Sequence, residues 1–116
     1  MTVGEDHPVV ARLLGLGLRA RGVVVGVAGV RARLARRGRD GLACVVLAGD
    51  ASPRTRDKVE RLALALGVPV LRGPHAERLG ASLGRTAVQA VGVRDPALAR
   101  GLVAVIGGVS DDDTGA

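Results

Sequence analysis

The sequence predicts a three-layer α/β/α sandwich built around a mixed four-stranded sheet. Segments with helical periodicity alternate with short runs rich in β-branched residues, and this order requires crossover connections between strands. Residues 42–48 are apolar at every position, which is typical of a strand covered by helices on both faces. The chain has 116 residues, so we expect one core and one domain.

The first half of the chain is predicted to contain two helices and two strands. Pro8 stands where a first helical turn accepts proline, and apolar residues then recur at helical spacing up to a stop at Gly22. Three valines at residues 23–25 predict a short strand. A second helix is expected over residues 26–37, followed by a turn and the apolar strand over 42–48.

The second half is predicted to contain three helices and two strands. A serine and a proline begin a helix over residues 52–66, and an aspartate and a proline begin the last helix over 95–105. Residues 68–71 form a strand that contains proline, so we expect it at an edge of the sheet. A short helix over 76–83 and a strand over 87–93 complete the pattern.

The domain is expected to span residues 8–107, between an N-terminal tail (1–7) and an acidic, disordered tail (108–116). No basic segment followed by an apolar stretch opens the chain, and no apolar run approaches the ~20 residues that span a bilayer. Cys44 is the only cysteine, which excludes an internal disulfide. These features together favour a cytoplasmic protein without a membrane partner.

Positive charge is concentrated in the central part of the chain. All 17 basic residues lie between Arg12 and Arg100, together with only six of the 11 acidic residues, so this part has an excess of 11 positive charges. A GC-rich genome explains the use of arginine in place of lysine, but it does not explain the excess. Such a domain attracts polyanions. The absence of Phe, Tyr and Trp argues against modules that stack bases on aromatic rings.

The residues that carry chemistry do not form a recognisable catalytic or metal site. Gly26 and Gly29, with Asp50 downstream, weakly resemble a dinucleotide-binding fingerprint, but the full glycine pattern is missing. His7 and His75 have no evident acidic or cysteine partner in the sequence. We therefore expect no enzyme activity, no cofactor, no metal and no small-molecule substrate.

Six segments, in order, resemble the ribosomal protein L7Ae/L30e/S12e/Gadd45 family, especially its small bacterial YlxQ-like members, which bind kink-turn RNA. The resemblance covers roughly residues 10–106. It includes an apolar strand followed by Ala-Gly-Asp-Ala at 48–51 and a Leu-Gly…Gly loop at 79–84. The complete set of segments lies at residues 13–20, 26, 45–52, 67–70, 79–85 and 88–91.

The resemblance implies an RNA surface formed by the start of the second helix, the turn after the central strand and the glycine loop before the last strand. Arginines there would bind phosphates, and two leucines of the loop would cover an unstacked base. The residues expected to form this surface are Gly26, Val27, Ala28, Gly29, Arg31, Arg33, Asp50, Arg54, Leu79, Gly80, Leu83, Gly84 and Arg85.

Three positions depart from the pattern of RNA-binding relatives. Their Asn, Glu and Lys correspond here to Ala28, Gly29 and Ala32, whose side chains cannot hydrogen-bond to a base edge. One good base-edge pair contributes ~1–3 kcal/mol of discrimination. The expected function is a non-enzymatic RNA-binding protein of the ribosome or its accessory machinery. The alternative is a divergent member that acts in protein–protein interaction or homodimerisation.

Overall fold

A computed structural model describes residues 8–36 and 41–107. The predicted tails, 1–7 and 108–116, lie outside these residues, as does most of the predicted turn after the second helix. The described chain contains helices and strands in the order α1 (Pro8–Arg19), β1 (Val23–Val25), α2 (Val27–Ala35), β2 (Cys44–Leu47), α3 (Pro53–Ala65), β3 (Val70–Arg72), α4 (Ala76–Ser82), β4 (Ala90–Val93) and α5 (Pro96–Leu102), which continues into a π-helical turn, Val103–Gly107.

The four strands form one mixed sheet in the order β1-β4-β2-β3. β2 and β3 are parallel, whereas β4 runs antiparallel to both β1 and β2. Strands β1, β2 and β3 therefore all end at the side of the sheet where β4 begins. We call this side the upper end of the sheet, and the opposite side, where β4 ends, the lower end.

Helices cover both faces of the sheet, as the apolar run of β2 predicted. Every residue of β2 is buried, and alternate β2 side chains join different helices. On one face, Cys44 and Val46 belong to a cluster with buried residues of α1, α4 and α5. On the other face, Val45 and Leu47 belong to a cluster with buried residues of α2 and α3. The prediction of a three-layer α/β/α sandwich is confirmed.

Local capping chemistry explains where two helices begin. The Ser52 hydroxyl accepts a hydrogen bond from the Thr55 backbone N–H at 3.2 Å, with proline at the next position. The Asp95 carboxylate accepts a hydrogen bond from the Ala97 backbone N–H at 2.9 Å, again followed by proline. Both starts are close to those predicted from the sequence.

The predicted strand over 42–48 is shorter in the structure, where β2 covers Cys44–Leu47. The predicted starts of β3 and β4 are also wrong, because contacts with helices set them. β4 begins at Ala90 rather than at residue 87, since the Val88 backbone N–H donates to the Ala76 carbonyl at 2.9 Å and holds this segment against α4. β3 begins at Val70 rather than at residue 68, since the Val68 N–H donates to the Ala63 carbonyl at 2.8 Å. β3 does lie at an edge of the sheet, as its proline predicted.

Two further observations concern the interior and the helix lengths. Cys44 is fully buried in the central strand, and this burial raises the pKa of its thiol to about 12. Within residues 8–36 and 41–107, every helix is too short or too polar to cross a bilayer.

Candidate nucleic-acid interface

Three of the segments expected to contact RNA meet at the upper end of the sheet. The Gly26 N–H, just before α2, donates to the Ala90 carbonyl at 2.8 Å. The Ala48 N–H, just after β2, donates to the neighbouring Gln89 carbonyl at 2.9 Å. The loop that precedes β4 is therefore bordered by the start of α2 on one side and by the β2–α3 turn on the other.

The N-terminus of α2 leaves its first backbone N–H groups without a side-chain cap. Gly26 occupies the N-cap position with φ 98°, a conformation that L side chains rarely adopt, and glycine offers no side chain to accept a hydrogen bond. Its carbonyl accepts the first helical bond from Val30 at 3.0 Å. The helix dipole and the unpaired N–H groups together make this end attractive to an anion.

Asp50 links the turn after β2 to α4. Its Oδ1 accepts a hydrogen bond of 2.8 Å from the backbone N–H of Ala76, the first residue of α4. His75, at the N-cap position of α4, makes no side-chain cap bond, so Asp50 caps this helix from 26 residues away. Asp50 thus lies at the upper end as expected, and its carboxylate has a structural role there.

The loop between α4 and β4 folds tightly back onto α4. The Arg85 N–H donates to the Gly80 carbonyl at 2.7 Å. A Cβ on Gly80 would lie 2.7 Å from the Arg85 carbonyl oxygen and 2.8 Å from the backbone N of Ala87, so only glycine fits. Gly84 has φ 71° and turns the chain outward. Gly84 and Arg85 are consequently exposed at the upper end.

The structure corrects the expectation for the two leucines of this region. Leu79 is 0% exposed and Leu83 is 4% exposed, and both belong to the core between α1, α4, α5 and the sheet. They face the sheet because residues four apart lie on the same side of a helix. Neither side chain is at the surface, so neither can cover an unstacked base.

The four predicted arginines do not all lie together. Arg54 and Arg85 are exposed at the upper end, at the start of α3 and in the α4–β4 loop. Arg31 is exposed about 6 Å along α2 from its start. Arg33 lies in the last turn of α2 and lines a groove with Leu42 and Leu66 at the lower end, so the structure separates it from the other predicted residues.

Sequence reasoning missed two exposed side chains of the same surface. Arg72 is the last residue of β3, and Gln89 immediately precedes β4. Their positions in the sequence could have indicated them, because residues at the ends of neighbouring parallel strands lie at the same end of a sheet.

No group of three or more His, Cys, Asp or Glu residues in the described ranges is arranged to hold a metal ion.

Comparison with known proteins identifies the family. The family model described as "Ribosomal protein L7Ae/L30e/S12e/Gadd45 family" matches residues 9–103. The chain belongs to this family. No curated protein gives a significant match to the sequence.

Solved structures of L7Ae-like shape agree with this assignment. A protein of unknown function from Bacillus halodurans C is 26% identical, with a TM-score of 0.76; the match covers 86% of this chain and 97% of that one. The Giardia lamblia 15.5kD RNA binding protein is 16% identical, with a TM-score of 0.71; the match covers 93% of this chain and 92% of that one. The fold of this L7Ae-family domain is therefore confirmed.

In this L7Ae-family domain, the three α2 positions at which the sequence is expected to depart from RNA-binding relatives present little side chain. Ala28 and Ala32 are exposed, one helical turn apart. Gly29 is half-buried, and a Cβ there would lie 2.9 Å from Val24 Cγ1. A larger residue at position 29 would press against this stiff valine, so the small residue also suits the packing of α2 on β1. The first turn of α2 can bind mainly through its backbone.

Proposed function

We propose that this chain is a non-enzymatic RNA-binding protein that binds structured RNA, such as a kink-turn or a folded rRNA segment, at the upper end of its sheet. The observation that carries the proposal is the meeting of the α2 N-terminus, the β2–α3 turn and the α4–β4 loop at this end. The RNA-binding name of the Giardia relative and the excess of positive charge support it. We place the protein in the cytoplasm, on the ribosome or its accessory machinery.

Binding in this proposal depends mainly on phosphates. The uncapped N–H groups at the start of α2 donate hydrogen bonds to a phosphate oxygen, while Arg54 and Arg85 supply bidentate contacts on either side of the β2–α3 turn. Ala28 and Ala32 allow the RNA backbone to approach α2 closely. Because their side chains cannot read base edges, we expect recognition of RNA shape to outweigh recognition of sequence.

The test compares a kink-turn stem with an unkinked stem of equal length across a series of salt concentrations. The R54Q/R85Q variant removes two proposed contacts, and K58Q/R61Q removes the same charge from the exposed face of α3. We expect R54Q/R85Q to lower the log–log salt slope by roughly 1.4–1.8, at 0.7–0.9 for each contact. The K58Q/R61Q control should retain the wild-type slope.

The possible outcomes distinguish specific RNA recognition, general RNA binding and homodimerisation. Preference for the kink-turn would support specific recognition through backbone amides and arginines. Equal, steeply salt-dependent binding would support a general RNA-binding surface. If the wild-type protein bound neither stem and sedimented as a stable dimer, the proposal would be wrong and the homodimer alternative would replace it.

A further inference from the structure

The lower end of the sheet carries a second set of arginines, which we call the arginine surface: Arg19, Arg21, Arg33, Arg36 and Arg94. Asp95, an acidic residue at the same end, directly follows Arg94. The upper end carries Arg54, Arg72, Arg78 and Arg85 against Asp50 and Glu77. Among the described residues, both ends therefore carry more arginines than carboxylates.

Hydrogen bonds join the first members of the arginine surface. The Arg94 backbone N–H donates to the Gly22 carbonyl at 2.7 Å, and its guanidinium Nη1 lies 3.4 Å from the Arg21 carbonyl oxygen. The Ala43 N–H donates to the carbonyl of Val93, the residue before Arg94, at 2.7 Å. The end of α1, the end of β4 and the segment before β2 are thus held side by side.

Leu42 connects these arginines to those of α2. It is 8% exposed and packs over Gly92, where a Cβ would lie 2.6 Å from Leu42 Cδ1. Leu42 also lines a groove of about 450 Å³ together with Arg33 and Arg36. Arg33 and Arg36 therefore lie at the same end of the sheet as Arg21 and Arg94.

Helix stabilisation explains only part of this concentration of charge. Arg19 and Arg33 lie in the last turns of α1 and α2, where a cation interacts favourably with the helix dipole. Arg94 has the opposite placement, because it lies just before the N-terminus of α5. The helix dipole disfavours a positive charge at that end. The fold therefore gains nothing from the charge of Arg94 by this mechanism.

Arg21 also occupies a position that favours another residue type. Its φ of 59° is the one positive φ among the described non-glycine residues. It follows the end of α1, where glycine is usual, and the Gly22 N–H closes the helix end with a 2.7 Å bond to the Gly17 carbonyl. A left-handed conformation is unfavourable for a residue other than glycine. The chain retains a charged residue where glycine would fit better.

We propose that the arginine surface is a second RNA phosphate-binding surface, so that one protein molecule holds two RNA segments, one at each end of the sheet. This inference rests on the proposed function and extends it. The principal extents of the protein are 36 × 33 × 28 Å, so a short duplex bound at one end leaves the other end free. Several guanidinium groups at one end of the sheet suit the phosphate backbone of such a duplex.

The experiment measures how many copies of a short RNA duplex one protein molecule binds, and whether it brings two differently labelled duplexes together. Native mass spectrometry gives the stoichiometry, and energy transfer between the labels reports bridging. The variants are R36Q/R94Q at the lower end, R54Q/R85Q at the upper end and K58Q/R61Q as a charge-matched control. Arg36 and Arg94 are exposed, but R94Q also removes the Arg94 hydrogen bond to the Arg21 carbonyl, so thermal melts must show that R36Q/R94Q is folded before its binding is compared.

We expect the wild-type protein and K58Q/R61Q to bind two duplexes and to give energy transfer. R36Q/R94Q should bind one duplex, with the salt slope of the remaining site unchanged and energy transfer lost. R54Q/R85Q should also bind one duplex. Combining all four substitutions should reduce binding at both ends at once.

The two proposals fail in different ways. If R36Q/R94Q retained two duplexes and full energy transfer, or if the wild type bound one duplex that depended only on Arg54 and Arg85, the second surface would be overturned and the proposed function would stand. Binding that depended only on Arg36 and Arg94 would support the arginine surface and overturn the upper-end site. A wild-type protein that bound no RNA would contradict both.

Discussion

At the scale of single residues, two glycines inside helices have opposite surroundings. Gly15 lies in α1, and the nearest atom to a Cβ placed there is the Ser82 carbonyl oxygen at 3.6 Å, an ordinary contact. Gly80 lies in α4, where a Cβ would be 2.7–2.8 Å from the backbone of Arg85 and Ala87. Helix propensity favours alanine at both positions, but only Gly15 has room for it.

Alanine substitution should therefore change stability in opposite directions at these two positions. Gly15→Ala should raise the free energy of unfolding by about 0.5–1 kcal/mol, because the unfolded chain loses conformational freedom. Gly80→Ala should lower it by about 1–3 kcal/mol, because the α4–β4 loop must move away. Urea denaturation measures both values. Equal effects at the two positions would show that the loop does not press on Gly80.

The buried thiol of Cys44 should make stability depend on alkaline pH. Burial raises its pKa from an ordinary value of 9.0 to about 12, so between these values the unfolded chain loses the proton and the folded chain keeps it. Between pH 9 and about pH 12, the free energy of unfolding should fall by about 1.4 kcal/mol for each pH unit. The stabilising effect of the protonated thiol is fully present below pH 9.

The Cys44→Ala variant provides the control for this pH dependence. It removes the titrating group, so its free energy of unfolding should fall less steeply between pH 9 and pH 11. The chain contains no tyrosine and one lysine, so few other side chains titrate in this range. Parallel pH profiles for the wild type and the variant would assign the dependence to another group.

At the scale of secondary-structure elements, the Asp50 cap connects the β2–α3 turn with α4. Asp50→Ala should lower the free energy of unfolding by about 0.5–2 kcal/mol, as the loss of other helix caps does. Ser52→Ala removes the local cap of α3 and serves as the matched control. Hydrogen exchange should become faster for the Ala76 amide in Asp50→Ala and stay unchanged there in Ser52→Ala. Equal exchange in both variants would contradict this role of Asp50.

Elements were predictable where local chemistry sets their boundaries. Ser52 and Asp95, each followed by proline, mark the starts of α3 and α5 because their cap bonds join residues two or three apart. The starts of β3 and β4 were missed because Val68 and Val88 bond to helix carbonyls. Such contacts depend on how the elements pack and have no local sequence signal.

The candidate site was predictable to a similar, partial extent. The family resemblance pointed to the three segments that meet at the upper end, and mixed strand directions explain why they meet. The burial of Leu79 and Leu83 was visible in their spacing of four residues, which is typical of a core-facing helix side. The arginine surface was not predictable, because Arg21 and Arg94 come together only through the pairing of β1 with β4.

At the scale of the whole molecule, the last strand in the sequence lies inside the sheet. β4 pairs with β1 on one side and with β2 on the other, and these two strands have no direct pairing with each other. Removing residues 89–116 should abolish cooperative thermal unfolding, because β1 would lose its partner. Removing only residues 108–116 is the control and should preserve it. A cooperative melt of the shorter fragment would contradict the central role of β4.

The position of β4 also determines when the sheet can close during synthesis. Val23 pairs with Val93, which leaves the ribosome 70 residues later. Until then, the growing chain exposes one unpaired edge on β1 and another on β2, and exposed strand edges invite pairing with other chains. A nascent chain that stalls before residue 93 would therefore be prone to aggregate, so rapid synthesis of the final quarter of the chain should favour a correctly folded product.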